Sequence, residues 1–191
     1  VKITPIPNDL DLGISTLPRS PGLHLSAIYN DLFQDLEPKR FVRGTTPDPL
    51  RLEAGLSLEY ALEDAFKRRG IDRPGEFRTP EGIIFTPDLL IYNHGLRVGE
   101  TKLTWLSSRE VPREPSSSFP SKFDKWFTQV KGYCHGLETP FARLYSYFVN
   151  GSYRPMVPEL LAWDIEFSAR ELQENWAVIM NHAKHKKMFS A

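Results

Sequence analysis

Apolar residues recur at helical spacing in the first third of the chain, cluster and alternate through the middle, and return to helical spacing at the end. Pro5, Pro7, Pro18 and Pro21 punctuate the opening segment, which reads as an extended arm because proline lacks the N–H that packed elements use. Ser26 is placed to cap a short helix over AIYNDLF, with Ile28, Leu32 and Phe33 on one face. The turn cluster TTPDP at 45–49 releases the chain into a longer helix over 50–69. Leu52, Leu56, Tyr60, Leu62 and Phe66 predict an apolar stripe there, and Lys67, Arg68 and Arg69 suit the helix C-terminus before Gly70 stops it.

The period then changes. Residues 81–105 are rich in Ile, Leu, Val, Phe and Thr and are interrupted by Asn93-His94-Gly95, which predicts a hairpin of strands over 87–92 and 96–105 after a further strand around 76–85. The polar, Pro/Ser-rich stretch 107–121 reads as a mobile loop, and Ser121 as the cap of a helix over 122–137 whose Phe123, Trp126, Phe127 and Val130 form a stripe. Two more strands follow at 142–151 and 160–167. A capping box, Ser168 with Glu171, then opens a last helix to about residue 187. The order predicts an α/β domain with a mixed central sheet flanked by helices.

Composition narrows the function. Lys+Arg and Asp+Glu balance at 24 each, which argues against a protein that coats nucleic acid but leaves room for an enzyme gripping DNA locally. A lone cysteine, Cys134, excludes an internal disulfide, a Cys-based zinc ribbon and a Cys-ligated iron–sulfur cluster within one chain, and a reducing, cytoplasmic setting is the expectation. Nothing resembles a secretory leader or a membrane span, so no membrane role is expected.

The chemistry concentrates in Pro87-Asp88 followed, after eleven residues, by Glu100-Thr101-Lys102. If 93–95 form the hairpin loop, paired residues stand equidistant from His94, so Asp88 faces Glu100 and Lys102 lies two residues further on the same side. A two-residue loop would shift the register and split the pair between faces. Facing carboxylates repel and call for a cation, and oxygen ligands suit Mg²⁺ or Mn²⁺. A neighbouring ammonium neutralises charge on a phosphate or positions a water, and together these groups suit phosphodiester cleavage.

Pro87-Asp88 with Glu100-x-Lys102 resembles the PD-(D/E)XK nuclease superfamily, whose restriction-endonuclease-like core carries Asp on one strand and Glu-x-Lys on the next. Gly55-x-x-x-Glu59 is similar to its first motif, and Gln129-x-x-x-Tyr133 to the helix motif of the RecB-like exonuclease branch. The C-terminal stretch has the look of phage-encoded members. The resemblance implies an N-terminal arm and short helix over 1–48 packed on a nuclease domain over 49–191. It implies metal ligation by Glu59, Asp88, Glu100 and the Thr101 carbonyl, a Lys102 that orients or activates the attacking water, and Gln129 and Tyr133 steadying the lysine and the DNA phosphate. Its implied activity is exonucleolytic hydrolysis of DNA through a metal-activated water, in recombination, repair or end processing. A recombination or annealing protein and a second copy of the chain are candidate partners, with the host cytoplasm as the setting if the chain is phage-encoded. The cluster-bearing relatives carry four cysteines, so no iron–sulfur cluster is expected here.

Plainer readings stand beside these. The strand charges could be a solvated cross-strand cluster, although Leu90, Tyr92, Leu96 and Val98 share their face and argue for a covered one. Glu59 competes with Glu53, Glu63 and Asp64 on its helix, and Gln129 and Tyr133 could be a polar edge and a core aromatic. His182-x-x-His185, among Lys184, Lys186 and Lys187, reads as a solvated basic helix end. That end, with Arg68, Arg69, Arg73 and Arg78, could contact a DNA backbone. Cys134 reads as a structural thiol. An endonuclease of the same superfamily, a non-catalytic DNA-binding module and an assembly role are the alternative functions.

Overall fold

A computed structural model of the chain describes residues 19–43, 48–68, 74–92, 95–114, 116, 118–150 and 157–189. The elements are α1 (Leu25–Leu36), α2 (Pro49–Lys67), β1 (Phe77–Arg78), β2 (Ile84–Phe85), β3 (Leu89–Tyr92), β4 (Leu96–Thr104), α3 (Asp124–Gly136), β5 (Phe141–Phe148), β6 (Glu159–Glu166) and α4 (Ala169–His185). One sheet of four strands runs β3-β4-β5-β6, and β1 and β2 pair separately. β4 is antiparallel to β3 and parallel to β5, while β6 returns antiparallel to β5. The parallel step requires a crossover, and α3 makes it. The mixed sheet with flanking helices is the class the sequence predicts.

Alternation places the core. On β5, Ala142, Leu144, Ser146 and Phe148 are buried while the intervening residues are partly exposed. That face meets α1, α3 and α4, whose Leu25, Ile28, Val130, Trp176, Ile179 and Ala183 pack with Val98 and Ala142 in the main apolar cluster. Gly99 lets β3 and β4 approach closely: a Cβ there would lie 2.8 Å from Leu89 Cβ. The opposite face has thinner cover. Phe66 of α2 meets Tyr145 edge to face at 5.0 Å, but Leu52 and Tyr60 are 36% and 48% exposed. The stripe expected on this helix is therefore mostly a surface feature, because α2 lies over β4 and little else.

Several local expectations change. α1 starts one residue before Ser26, after His24, and Ser26 instead accepts from Arg19. α2 is capped by Asp48, whose carboxylate accepts from the Leu50 N–H. Ser121 opens a 3₁₀ turn and leaves α3 without a side-chain cap. The strand expected around 76–85 is two short pieces joined by a turn. The described part of 107–121 is pinned, not loose. Asn150 accepts from the Ser108 N–H at 2.9 Å, Arg113 pairs with Glu159, and the Trp163 indole donates to the Pro112 carbonyl at 2.9 Å. The capping box of Ser168 and Glu171 opens α4 as expected. Residues 1–18 of the arm, Arg69, Gly70, Arg73, Asn93 and His94 lie outside the described residues.

Candidate active site

Pairing of Leu89 with Gly99 and of Tyr92 with Leu96 sets the register derived from a three-residue loop, and Asp88 stands opposite Glu100. The ladder ends at Leu89. One position further the Thr101 N–H points toward β3 and finds a side chain instead of a backbone: Asp88 Oδ2 accepts from it and from the Thr101 hydroxyl, both at 2.7 Å. The two bonds fall on that one oxygen. Asp88 thus clips the splayed strands together while presenting a carboxylate at their open end.

Glu100 points beneath α3 and is 1% exposed. Its Oε1 accepts from Lys102 Nζ and, at 2.7 Å, from Gln129 Nε2, while Oε2 is buried with no partner among the described residues. Burial, reinforced by the charge of Asp88, pushes the Glu100 carboxyl up to about 8. Lys102, one-fifth exposed, also donates to Gln129 Oε1 at 2.9 Å. Burial opposes its charge most strongly, but Glu100, Tyr29 and Asp88 together outweigh it and lift the ammonium above its ordinary range. Two of its three N–H groups are used, which leaves one for a ligand.

Gln129 and Tyr133 lie four apart on α3, on one helical face. The Gln129 amide bridges Lys102, Glu100 and, at 2.8 Å, the Tyr133 hydroxyl. Tyr133 is buried and stacks on Phe85 at 5.7 Å, so it supports Gln129 from below. Glu59 of α2 lines a small hollow with Asp88, Leu89 and Thr101, and its charge reaches Glu100. Arg68 is exposed at the end of α2, and Arg78 is exposed and donates to the Gly82 carbonyl at 3.2 Å; neither touches the carboxylates.

Packing brings in a residue that its own helix gives no reason to single out. Tyr29 of α1 is buried against the site, and its hydroxyl feels Lys102, Glu100 and Asp88; burial pushes it up to about 12, so it is a donor and not a phenolate. A tyrosine inside an apolar helix carries no signal of this kind.

Of the C-terminal histidines, His185 is exposed as expected, and His182 departs from expectation. His182 is half-buried and bonds Asp31 at 2.8 Å. Asp31, Asp35 and His182 gather three ligand-type atoms within 4.8 Å of one another, yet Arg43 at 2.5–3.0 Å and Lys186 at 2.7 Å already balance the acids. Cys134 is buried, donates to the Phe141 carbonyl, and is pushed up to about 12 by burial, as suits a structural thiol.

No family model matches the chain, and no curated protein matches it in sequence. Solved structures do resemble it. An alkaline exonuclease from Laribacter hongkongensis superposes with a TM-score of 0.51 at 14% identity, over 87% of this chain and 88% of that one. A phage-related exonuclease from Haemophilus somnus 129PT gives 0.52 at 16%, over 83% and 78%. The protein SSO0001 gives 0.53 at 14%, over 91% and 79%. At these identities the likeness is one of fold. It agrees with the expected fold of a mixed sheet flanked by helices and does not bear on the Gln129-x-x-x-Tyr133 motif.

Proposed function

We propose that the protein is a divalent-metal-dependent deoxyribonuclease acting as an exonuclease, in recombination, repair or end processing of DNA. The carrying observation is Glu100: a buried carboxylate with one oxygen held by Lys102 and Gln129 and the other without a partner among the described residues, within the field of Asp88 at the open end of a strand pair. A bare buried carboxylate oxygen is costly unless a cation completes it. The fold shared with two exonucleases supports the same reading.

Asp88, Glu100, the Thr101 carbonyl and Glu59 would hold Mg²⁺ or Mn²⁺, which supplies charge stabilisation at the phosphate and a more acidic water. The N–H and C=O of an extended residue point to one side, so the Thr101 carbonyl shares the Asp88 side of β4. Lys102 stays an ammonium in this setting. Its spare N–H orients the attacking water or neutralises charge on the scissile phosphate, while Gln129 and Glu100 fix its direction. Hydrolysis proceeds by direct in-line attack of water with no covalent enzyme intermediate, as the superfamily resemblance implies.

The test uses end-labelled linear duplex DNA and covalently closed circular DNA in Mg²⁺, Mn²⁺ or EDTA, beside an Asp88→Ala control. Metal-dependent loss of the linear form alone, absent in the control, is expected. Cutting of the circle would replace the exonuclease by an endonuclease with the same site, and an inert wild-type protein would overturn the nuclease reading.

A further inference from the structure

One cation near the site has no counter-charge among the described residues. Lys125 lies one turn before Gln129 on α3, so 125, 129 and 133 form a row along the helical face that meets Glu100 and Lys102. Its ammonium sits 4.5 Å from the Phe41 ring centre and 5.9 Å from that of Tyr29. The other partly buried lysines of the described chain have acids: Lys102 pairs with Glu100, Lys122 with Glu110 and Lys131 with Glu171, whereas Lys39, Lys184 and Lys187, which form no ion pair with a described residue, are exposed. Lys125 forms no ion pair with any described carboxylate, and the charges that act on it, Lys102 and Arg40, are both positive. It is half-buried, and burial, then Lys102, then Arg40 push its ammonium below the usual range.

Aromatic faces relieve part of the cost of such a charge but leave its N–H groups unfilled. Tyr29 joins this spot to the carboxylates: its ring lies beside Lys125, its hydroxyl lies in the field of Lys102, Glu100 and Asp88, and that hydroxyl bonds no described residue. Two donors without acceptors among the described residues therefore lie on the same side of the carboxylates and Lys102. An anion completes both, and the polyanion that the neighbouring carboxylates and lysine are suited to cleave carries one at every nucleotide.

We propose that Lys125 and the Tyr29 hydroxyl form a second anion-binding position, one helical turn from Gln129, which takes the backbone phosphate beside the scissile one in a DNA substrate. The assignment rests on the nuclease reading for its ligand. It makes Lys125 a binding residue whose loss weakens substrate capture and leaves the chemical step intact.

The test compares wild type, Lys125→Gln, Lys125→Arg and Tyr29→Phe in the full chain. Cleavage of linear duplex DNA in Mg²⁺ gives KM and kcat, anisotropy of a labelled duplex in EDTA gives the dependence of Kd on NaCl, and thermal melts report folding. For Lys125→Gln we expect KM to rise about five- to tenfold with kcat within about twofold, and the log–log salt slope to fall by about 0.9, the release of one phosphate's counterion. Lys125→Arg should restore both, and Tyr29→Phe should raise KM about two- to threefold. A folded Lys125→Gln with wild-type KM and salt slope overturns the proposal and leaves the nuclease reading standing. So does a KM defect that Lys125→Arg fails to rescue, which would mark a packing role. If wild type binds DNA but cleaves none, a slope that still falls by about 0.9 supports the phosphate position while the nuclease reading fails.

Discussion

Gln129 holds the candidate site together through a single planar amide. Its oxygen takes the Lys102 ammonium and its nitrogen serves Glu100 and Tyr133, so flipping or removing it disorders three partners at once. Gln129→Ala is expected to lower kcat about 10–100-fold in a steady-state DNA cleavage assay while the fold persists, the usual scale for partners that aim a metal ligand or catalytic group. Glu100→Gln and Lys102→Ala remove groups that meet charge directly, and each should cost at least about 10²–10³-fold with an unchanged far-ultraviolet circular dichroism spectrum. Full activity in either would sink the assignment. Asp88, Glu100 and Lys102 are legible in the sequence because strand pairing converts spacing into proximity. Tyr29 and Lys125 are not: each reads as an ordinary member of its own helix, and only packing between α1 and α3 brings them together.

The β3–β4 hairpin carries this geometry, and its precision depends on Gly99. A methyl group there would meet Leu89 Cβ at 2.8 Å, a contact between two backbone-fixed atoms that neither can escape by rotation. Gly99→Ala should destabilise the protein by about 1–3 kcal/mol in chemical denaturation. It should also reduce cleavage disproportionately, since Asp88 and Glu100 flank the displaced pair. Among the other elements, α4 is readable from its capping box and β5 from its alternation, because both signals are local. α2 misleads: its apolar spacing is real, but a helix crossing one strand can bury only part of a stripe, and of its residues Phe66 alone is fully covered. The segment after β4 misleads in the other direction. Its Pro/Ser composition says loop, while anchors supplied by Asn150, Glu159 and Trp163 come from residues about 40–50 positions away.

Across the whole molecule, long-range polar ties hold irregular chain to the sheet. Glu159 receives Arg113 through two hydrogen bonds and also accepts from Ser108, and these, Arg113 first, hold its carboxyl down to about 2. Lowered below the ordinary 4.5, that carboxyl stabilises the fold above the ordinary value and loses its contribution as pH falls toward about 2. Glu159→Gln should therefore melt below wild type at neutral pH, by an amount worth up to about 1 kcal/mol, and the gap should close between about pH 4.5 and 2. A gap independent of pH would assign the effect to packing. A different tie has consequences in time. α1 is the first described helix to be made, yet its seat is built partly by the last: Leu25, Ile28 and Tyr29 share a cluster with Trp176, Ile179 and Ala183, and Asp31 bonds His182. A chain still on the ribosome thus carries Glu100 and Lys102 long before Tyr29 can settle beside them. Nascent chains arrested before Ala169 should be cut readily by protease within α1 and should cleave no DNA, so the catalytic potential of the strand pair stays dormant until α4 has been made.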